Sequence, residues 1–478
     1  MAKCSFGKVS LKSTFHEIWP YGTELYARLF YVCTDSTEIL LAAMDTLETF
    51  PKEAEHFCRI VSAQTGIPSD HIWYHELQIH AAPNSPHLTG TVMETIALKI
   101  SKEVLQMKER AEDFTCEVSE AYAGNKFSIN REQYIPGLGG VTVWAGMKFD
   151  DNGLPYMDDP SRMLLQGYEP DLPALKEPIP FDCNVDPLAY LFVFYSSNGT
   201  IIGSISRFAA HPDVAVLFES HGITEGYHYH FDWPGYLSEK LETILNAPSM
   251  YLNGPCGNLA TKKIFAGTDT YEKSDAEAKR IGEDLADFLL EHYRKNHISL
   301  GDPNRLKAAR FSFEIPLRED FPRCLSEIEN NTEQVQAAQT ALQAAISNHA
   351  PAYEVKQLID KNWRAAMLPC FVHTSCGFDE ETLSRHTVKV SVSVMEFGDY
   401  LFFGVPGESL VEMTEWLRST YTGRKTIPLD QVNGYYAYLA TPTSLKLGGY
   451  TYWYSWTGRN SVPKLQTDIQ KAMEQFLK

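Results

Sequence analysis

The sequence predicts one large domain of the mixed α/β class, spanning residues 1–478. In the first third of the chain, short apolar runs typical of strands alternate with an amphipathic stretch typical of a helix. A hairpin pattern follows in the middle, and strand and helix patterns return near the C-terminus. No fixed-period repeat, low-complexity tract or long Gly/Ser linker divides these segments. We therefore expect one domain with insertions.

The first predicted unit is strand, helix, strand. Glu38–Met44 has the apolar character of a strand, and Lys52–Thr65 has helical spacing that Gly66 closes. Ile72–His80 reads as the second strand. Because side chains alternate along a strand, Glu76, Gln78 and His80 are expected to share one polar face.

The middle of the chain predicts a hairpin and then helices. Apolar runs at Leu188–Phe194 and Thr200–Phe208 flank a turn at Ser197–Gly199, so the hairpin delivers the chain to His211. The proline-rich stretch Pro170–Pro180 is the candidate for a long surface loop. Helical patterns follow at Asp275–Lys295, Glu327–Ala350 and Val355–Met367.

The C-terminal part predicts two strands and a helix. Thr387–Met395 alternates in polarity and Tyr400–Val405 is apolar throughout. Pro406-Gly407 then marks a turn, after which a helix is expected to begin near Glu408. A glutamate in a first helical turn also complements the helix dipole, which would be a purely structural role.

Composition and charge narrow the function classes. Hydrophobic residues make up 44% and charged residues 22% of the chain, which is ordinary for a globular protein. Sixty-one Asp and Glu against 42 Lys and Arg give a formal charge of -19, so nucleic acid is not an expected partner. No apolar stretch approaches the ~20 residues of a membrane span, and no secretory signal is expected at the N-terminus. The nine scattered cysteines favour reduced thiols and a cytoplasmic location.

Several polar residues at predicted strand ends are candidates for chemistry. His80 and His211 each follow an apolar run, and Pro212 biases the backbone of His211 towards an extended form. A lone histidine in such a place is more often a hydrogen-bonded structural residue. The pair His228 and His230 has the spacing of either a zinc chelate or a polar strand face. From the residues alone, the chain could be a metal hydrolase with histidine and carboxylate ligands, or these histidines could have purely structural roles.

The ordered segments together resemble the neutral (non-lysosomal) ceramidase family, zinc amidases that cleave the N-acyl bond of ceramides. The matching segments span about residues 38–454 and keep the family's order. They are Leu77-Gln78-Ile79-His80-Ala81-Ala82-Pro83, Asn130-Arg131, Phe208-Ala209-Ala210-His211-Pro212, Asp232-Trp233-Pro234-Gly235-Tyr236, Asn253-Gly254-Pro255-Cys256-Gly257-Asn258, Pro406-Gly407-Glu408, Ala437-Tyr438-Leu439-Ala440-Thr441 and Gly448-Gly449-Tyr450. The family's additional β-sandwich domain has no counterpart in this sequence.

The resemblance implies a site and a reaction. His80, His211, Glu408 and Tyr438 would hold zinc or another divalent cation. Arg131 and Tyr450 would stabilise the developing oxyanion, and Gln78 would also lie in the catalytic site. The implied function is hydrolysis of an N-acyl amide or a lipid-like substrate of sphingolipid type.

Two departures from the family pattern bear on this expectation. Gln78 stands where the family has a zinc-ligand histidine, and an amide oxygen is a poorer ligand for zinc. Ala260 stands where the family has a serine once considered the nucleophile, so an amidase of this sequence would use water. The alternatives are a binding protein that has lost turnover and a hydrolase of a different amide or ester.

Aromatic residues predict the kind of pocket. Tyrosines and tryptophans crowd one C-terminal stretch: Tyr435, Tyr436, Tyr438, Tyr450, Tyr452, Trp453, Tyr454 and Trp456. Such a wall suits a substrate with an apolar body and a polar head, although core packing would look similar. We expect a closed pocket and a short or soluble N-acyl substrate.

Overall fold

The computed structural model describes residues 1–15, 21–143, 148–149, 155–157, 168–172, 179–180, 184–215, 228–262 and 270–478. Within these residues no helix is both long and apolar enough to cross a membrane. The eight cysteines among them are free thiols.

Strands occur throughout the chain. They are β1 (Lys3–Ser10), β2 (Tyr21–Gly22), β3 (Tyr26–Cys33), β4 (Glu38–Met44), β5 (Ile72–Glu76), β6 (Glu112–Tyr122), β7 (Ser128–Asn130), β8 (Glu132–Ile135), β9 (Gly139–Thr142), β10 (Lys148–Phe149), β11 (Pro155–Met157), β12 (Ile179–Pro180), β13 (Leu188–Ser196), β14 (Ile201–Phe208), β15 (His228–Tyr229), β16 (Ser249–Asn253), β17 (Leu259–Thr261), β18 (Ile298–Ser299), β19 (Leu306–Pro316), β20 (Thr387–Phe397), β21 (Tyr400–Gly404), β22 (Glu408–Ser409), β23 (Lys425–Leu429) and β24 (Tyr438–Leu439).

Helices alternate with these strands, and two short 3₁₀ turns lie before and after β5, namely Ser69–His71 and Ser85–His87. The α-helices are α1 (Lys12–Phe15), α2 (Pro51–Thr65), α3 (Gly90–Arg110), α4 (Asp232–Leu245), α5 (Tyr271–Lys295), α6 (Leu325–Glu329), α7 (Thr332–Ser347), α8 (Ala352–Met367), α9 (Cys370–His373), α10 (Glu380–Arg385), α11 (Val411–Thr420), α12 (Pro442–Leu447), α13 (Tyr450–Trp453) and α14 (Ser461–Phe476).

Two sheets form the framework. The larger has nine strands, in the order β16-β14-β13-β6-β1-β3-β4-β5 with β18 also paired to β6. Strands β1 and β6 pair over only two residue pairs. The smaller sheet has the order β19-β20-β21-β23. Both outermost pairs of the larger sheet are parallel, namely β4 with β5 and β14 with β16. In the smaller sheet β21 and β23 are parallel, whereas β19 and β20 at the other edge are antiparallel.

The two sheets share a core because side chains alternate along their strands. In β1, Phe6 packs on Phe30 and Phe194, while Gly7 lies against Met107 of α3, where a Cβ would collide with the sulfur. Phe397 of β20 stacks on Phe194 with ring centroids 6.3 Å apart. In β21, alternate residues face this shared core or a second core that α14 covers.

The structure confirms the mixed α/β class, including the strand, helix, strand unit β4–α2–β5 and the hairpin β13–β14. Two expectations at the site are wrong. Strand β5 ends at Glu76, so Glu76, Gln78 and His80 do not share a strand face. Glu408 lies in β22, and the next helix, α11, begins only at Val411. The dipole of a first helical turn therefore does not explain Glu408.

Two other expectations differ in detail. The helix expected over Glu327–Ala350 is two helices, α6 and α7. The loop expected at Pro170–Pro180 falls largely on residues 173–178, which lie outside the described part of the chain.

Candidate active site

His211 lies three residues beyond the end of β14, deep in the protein. Its backbone N–H donates to the carbonyl of Leu259 at 3.0 Å. Its ring Nδ1 lies 2.7 Å from the carbonyl oxygen of Cys256, so Nδ1 carries the proton and donates it there. Nε2 therefore points away from that carbonyl. A backbone acceptor that fixes the tautomer in this way is typical of a metal-binding histidine.

Glu408 and Tyr438 are brought together by strand pairing. Strands β22 and β24 are parallel, with Glu408 paired to Tyr438. The Glu408 carboxylate is buried; its Oε1 accepts a hydrogen bond of 2.5 Å from the Tyr435 hydroxyl, and its Oε2 lies 3.1 Å from Nε2 of His211. The carboxylate thus lies beside Nε2 of His211.

Arg131 joins these groups. Its Nη2 donates to the Tyr438 hydroxyl at 2.5 Å and to the carbonyl of Gly257 at 2.8 Å, and it lies 3.2 Å from Nε2 of His211. The same nitrogen is 4.0 Å from Oε2 of Glu408. A buried guanidinium therefore lies among three of the residues expected to be metal ligands.

His80 approaches from the opposite side. Its backbone N–H donates to the carbonyl of Pro212, the residue after His211, at 3.1 Å. The rings of His80 and His211 have centroids 5.5 Å apart. Nε2 of His80 is buried and has no hydrogen-bond partner among the described residues. An unpaired buried nitrogen is rare, and here it is consistent with a ligand that the protein itself does not provide.

Burial and neighbouring charges set the protonation of the site. Burial, with the nearby charge of His211, lowers the pKa of His80 to about 4, so its ring is neutral at pH 7. Burial alone would raise the pKa of Glu408, but His211, Arg131 and Tyr435 more than offset it, and the pKa lies below its ordinary value. Burial raises the pKa of the Tyr438 hydroxyl well above its ordinary value. The site therefore combines a neutral imidazole with an ionised carboxylate.

Asp430, which the sequence analysis did not single out, holds the two halves of the site in place. One carboxylate oxygen accepts the backbone N–H of Ser409 at 2.8 Å, and the other accepts that of Cys256 at 3.2 Å. Ser409 follows Glu408, and Cys256 supplies the carbonyl that fixes His211. The signal that could have revealed Asp430 is its position directly after the apolar strand β23.

Gln78 forms a turn and bonds to a neighbouring side chain. Its backbone is in the left-handed region, with φ of 62°, which turns the chain between β5 and His80. Its side-chain oxygen accepts a hydrogen bond from the amide of Gln431. Gln78 is thus tied to a neighbouring strand end.

His230 and Asp232 have structural roles among the described residues. His230 is buried, with Nε2 at 2.9 Å from Asp275, while the side chain of His228 lies outside the described part. Asp232 accepts the backbone N–H groups of Val214 and Ala215, both at 2.8 Å, which holds the loop after His211.

Ala260 and Tyr450 both lie next to the site. Ala260 forms an isolated backbone bridge with His211. Because its side chain is a methyl group, it offers no hydroxyl at that position. The Tyr450 backbone N–H donates to Thr142 at 2.9 Å, and its ring centroid is 5.5 Å from that of Tyr438.

The predicted aromatic wall divides into two parts. Four of its residues surround the site: Tyr435, Tyr438, Tyr450 and Tyr454. The ring of Tyr454 contacts those of Tyr438 and Tyr450. The other four point elsewhere. The Tyr436 hydroxyl donates to the backbone carbonyl of Lys389, and the Tyr452 ring lies under the guanidinium of Arg318. Trp453 stacks on Trp363, and Trp456 packs on Phe378. Those four belong to ordinary packing, and the closed pocket stays a prediction.

The donor set fits a divalent cation in its chemistry. Two imidazole nitrogens, a carboxylate and a phenol are ligand types that zinc accepts, and Nε2 of His80 and Oε2 of Glu408 lack hydrogen-bond donors of good geometry in the described part. In the described ranges, no three His, Cys, Asp or Glu side chains are already grouped tightly enough to hold a metal ion. Arg131 lies between the proposed ligands, so binding would require its Nη2 to withdraw.

Comparisons with known proteins agree on the fold. No family model and no curated protein sequence matches the chain. Among solved structures, the chain is similar to neutral ceramidase from Pseudomonas aeruginosa, with a TM-score of 0.62 and 14% identity over 98% of this chain and 73% of that one. It is also similar to a ceramidase complexed with C2, with a TM-score of 0.61 and 13% identity over 98% and 74%. The chain therefore has a ceramidase-like α/β fold.

Proposed function

We propose that this protein is a metal-dependent hydrolase of N-acyl amides. The observation that carries the proposal is the convergence of His80, His211, Glu408 and Tyr438 around Arg131, on a fold shared with ceramidases. These four residues would hold a divalent cation, for which zinc suits the nitrogen and oxygen donors. Such a cation polarises an amide carbonyl and makes a bound water acidic enough to attack it.

The protein's own residues supply positioning and charge. The Cys256 carbonyl keeps the His211 ring in one tautomer and orientation, and Tyr435 holds Glu408 by its Oε1. Arg131 and Tyr450 would donate to the carbonyl oxygen of the substrate, on which negative charge develops during attack. A preorganised donor of this kind typically contributes about 10²- to 10³-fold in rate.

The experiment measures bound zinc and amine release together. Purified protein is equilibrated with zinc, its metal content is determined, and hydrolysis of a panel of soluble N-acyl amides is followed. Glu408→Gln should lose most of the bound zinc and at least ~100-fold of the activity, because it removes a buried anionic ligand. Glu415→Gln, an exposed glutamate on α11, is the matched control and should behave as wild type. Full activity in zinc-free, chelator-treated protein would overturn the proposal.

The second candidate is a binding protein on the same fold. The observation that favours it is the engagement of Gln78 with Gln431, which removes this position from the ligand set. Gln78→His distinguishes the two candidates. If zinc binding and amide hydrolysis appear only in Gln78→His, the native protein is a binder; if the native protein already shows both, it is an enzyme.

A further inference from the structure

A cavity of about 260 Å³, here called the α8 cavity, is lined by residues of α8, α12 and α13. Leu138, which lies between β8 and β9, also lines it, and so does Gly448 in the turn that joins α12 to α13. None of the four proposed metal ligands is among the lining residues. The α8 cavity is therefore separate from the candidate active site, and the proposed reaction makes no use of it.

Positive charge predominates among the side chains that line the α8 cavity. Lys356 and Lys361 come from α8, and Lys446 comes from α12. Asp360 is the one acid among the described residues that line it. The whole chain, by contrast, has a formal charge of -19. The local charge is thus opposite in sign to that of the protein, and it favours an anionic ligand.

The innermost of these lysines is fixed in position by an ion pair. Lys356 is 2% exposed and Asp360 is 6% exposed, and Nζ of Lys356 donates to Oδ2 of Asp360 at 2.7 Å. The backbone of Gly448, with φ of 83°, packs directly against this pair. A Cβ at Gly448 would lie only 2.7 Å from Nζ of Lys356. The ammonium group is therefore held at the wall of the cavity.

The two ends of the ion pair differ in how far their hydrogen-bonding capacity is used. Oδ1 of Asp360 accepts the backbone N–H of Gly449 at 3.2 Å and the indole N–H of Trp453 at 2.7 Å, while Oδ2 accepts from Lys356. The ammonium of Lys356 has three N–H groups, and in the described part of the chain it donates one hydrogen bond. Asp360 is thus well satisfied, whereas Lys356 keeps buried donors. An acceptor is what this pair lacks.

Apolar side chains complete the lining and indicate the body of the ligand. They are Leu138, Leu445, Leu447, Tyr353 and Tyr452. Ligand pockets commonly combine an apolar wall with a few polar groups that fix orientation, and they span roughly 300–1,000 Å³. The α8 cavity is near the lower end of this range, so it suits a small molecule with one anionic group.

We propose that the α8 cavity binds a small organic carboxylate with an apolar body, whose oxygens accept hydrogen bonds from Lys356. This inference goes beyond the proposed hydrolase function and does not depend on it. Lys361 and Lys446 add positive charge around the carboxylate. The ligand replaces the water that burial removes from the ammonium, and charge-assisted hydrogen bonds of this kind are the stronger ones. Asp360 keeps its bonds to Gly449 and Trp453.

The test compares two probes of similar shape that differ in charge. 3-Phenylpropionate carries a carboxylate, and 3-phenylpropanol carries a neutral hydroxyl in its place. Each is titrated into the purified full-length protein at pH 7 in phosphate-free buffer, and binding is followed by NMR. The expected result is at least ~10-fold tighter binding of the carboxylate, which charge-assisted hydrogen bonds supply. Equal affinity for the two probes would overturn the inference.

Variants assign the preference to the α8 cavity. Lys356→Met should abolish it, and the double variant Lys361→Gln/Lys446→Gln should weaken it. The double variant changes only exposed side chains, so it decides the matter if Lys356→Met fails to fold. Lys471→Gln, at an exposed position on α14, is the control and should keep the full preference. A preference that is unchanged in the double variant and in folded Lys356→Met would place the carboxylate elsewhere and overturn the inference.

Discussion

At the scale of single residues, the site contains buried polar atoms without partners. Nε2 of His80, Oε2 of Glu408 and the side-chain oxygen of Gln431 all lack hydrogen-bond partners of good geometry among the described residues. Some buried charges of the described part are bonded, as where Asp186 bonds both Arg207 and Arg418, and others are only partly so, as at Arg28 and Arg364. A ligand-binding centre requires open atoms, because a satisfied polar atom has nothing left to offer a ligand.

The residues of the site were only partly accessible from the sequence. Five residues could be named because each lies in a short segment that resembles a family motif: His80, His211, Arg131, Glu408 and Tyr438. Asp430 could not, because an acidic residue after a strand is usually solvated. Its burial depends on elements far away in the chain.

Buried neutral histidines make stability depend on pH. Burial lowers the pKa of His75 to about 4, while its Nε2 accepts the N–H of Asn253 at 3.0 Å. Because the folded pKa lies below the unfolded value of about 6.5, the contribution is present above pH 6.5 and is lost as the pH falls towards 4. Between pH 7 and 5 we expect His75 to account for a loss of about 2 kcal/mol in the free energy of unfolding.

Urea denaturation of wild type and His75→Gln at both pH values checks this. The variant should show a smaller loss on acidification, while His373→Gln, at an exposed position, should match wild type. Equal losses in wild type and His75→Gln would contradict the assignment.

At the scale of elements, the site is assembled where strands end. Three of its turns contain residues other than glycine in the left-handed region: Gln78, Gln431 and Ala437, with φ of 62°, 45° and 45°. Such conformations cost of order 1–3 kcal/mol each and commonly mark functional sites. Periodicity predicts the bodies of β4, α2 and β14 well, but it gives no indication of these turns. For that reason the end of β5 and the nature of β22 were predicted wrongly.

Gly407 is the turn on which Glu408 depends most. Its φ is 70°, and a Cβ at this position would come within 2.7 Å of the Ala437 carbonyl oxygen. We expect Gly407→Ala to destabilise the protein by about 1–3 kcal/mol and to reduce hydrolysis, because it displaces β22 from β24.

Gly423→Ala is the control, since its Cβ would meet nothing within 4 Å and its φ is not positive. Thermal unfolding and amine release measure the two effects in both variants. A Gly407→Ala protein with wild-type activity would show that the pairing of Glu408 with Tyr438 does not matter for function.

At the scale of the whole molecule, the two sheets share one core. Phe397 of the smaller sheet packs against Phe30, Phe114 and Phe194 of the larger one, with ring centroids 6.1 to 6.3 Å apart. The sequence indicated the α/β class and the strands themselves. It could not show which sheets pack together, because that depends on contacts between residues hundreds of positions apart.

The shared core predicts a single unfolding transition. Phe397→Ala should remove about 3–5 kcal/mol, because it leaves a large cavity between the sheets. Calorimetry should still show one peak, shifted to lower temperature, since both sheets lose the same support. Two separated peaks in the variant or in wild type would mean that the sheets unfold independently, contrary to a single domain.

The pairing of β22 with β24 has a consequence for how such proteins diverge. Glu408 and Tyr438 are aligned by hydrogen bonds between two short strands, so the length of the chain between them does not set their separation. Insertions or deletions in the intervening loops are therefore tolerable, whereas a shift of one residue within either strand would replace one of the pair. Distant homologues should keep the order of these two residues while the spacing between them drifts. A search that permits variable gaps between short strand segments should accordingly find relatives that whole-chain alignment overlooks.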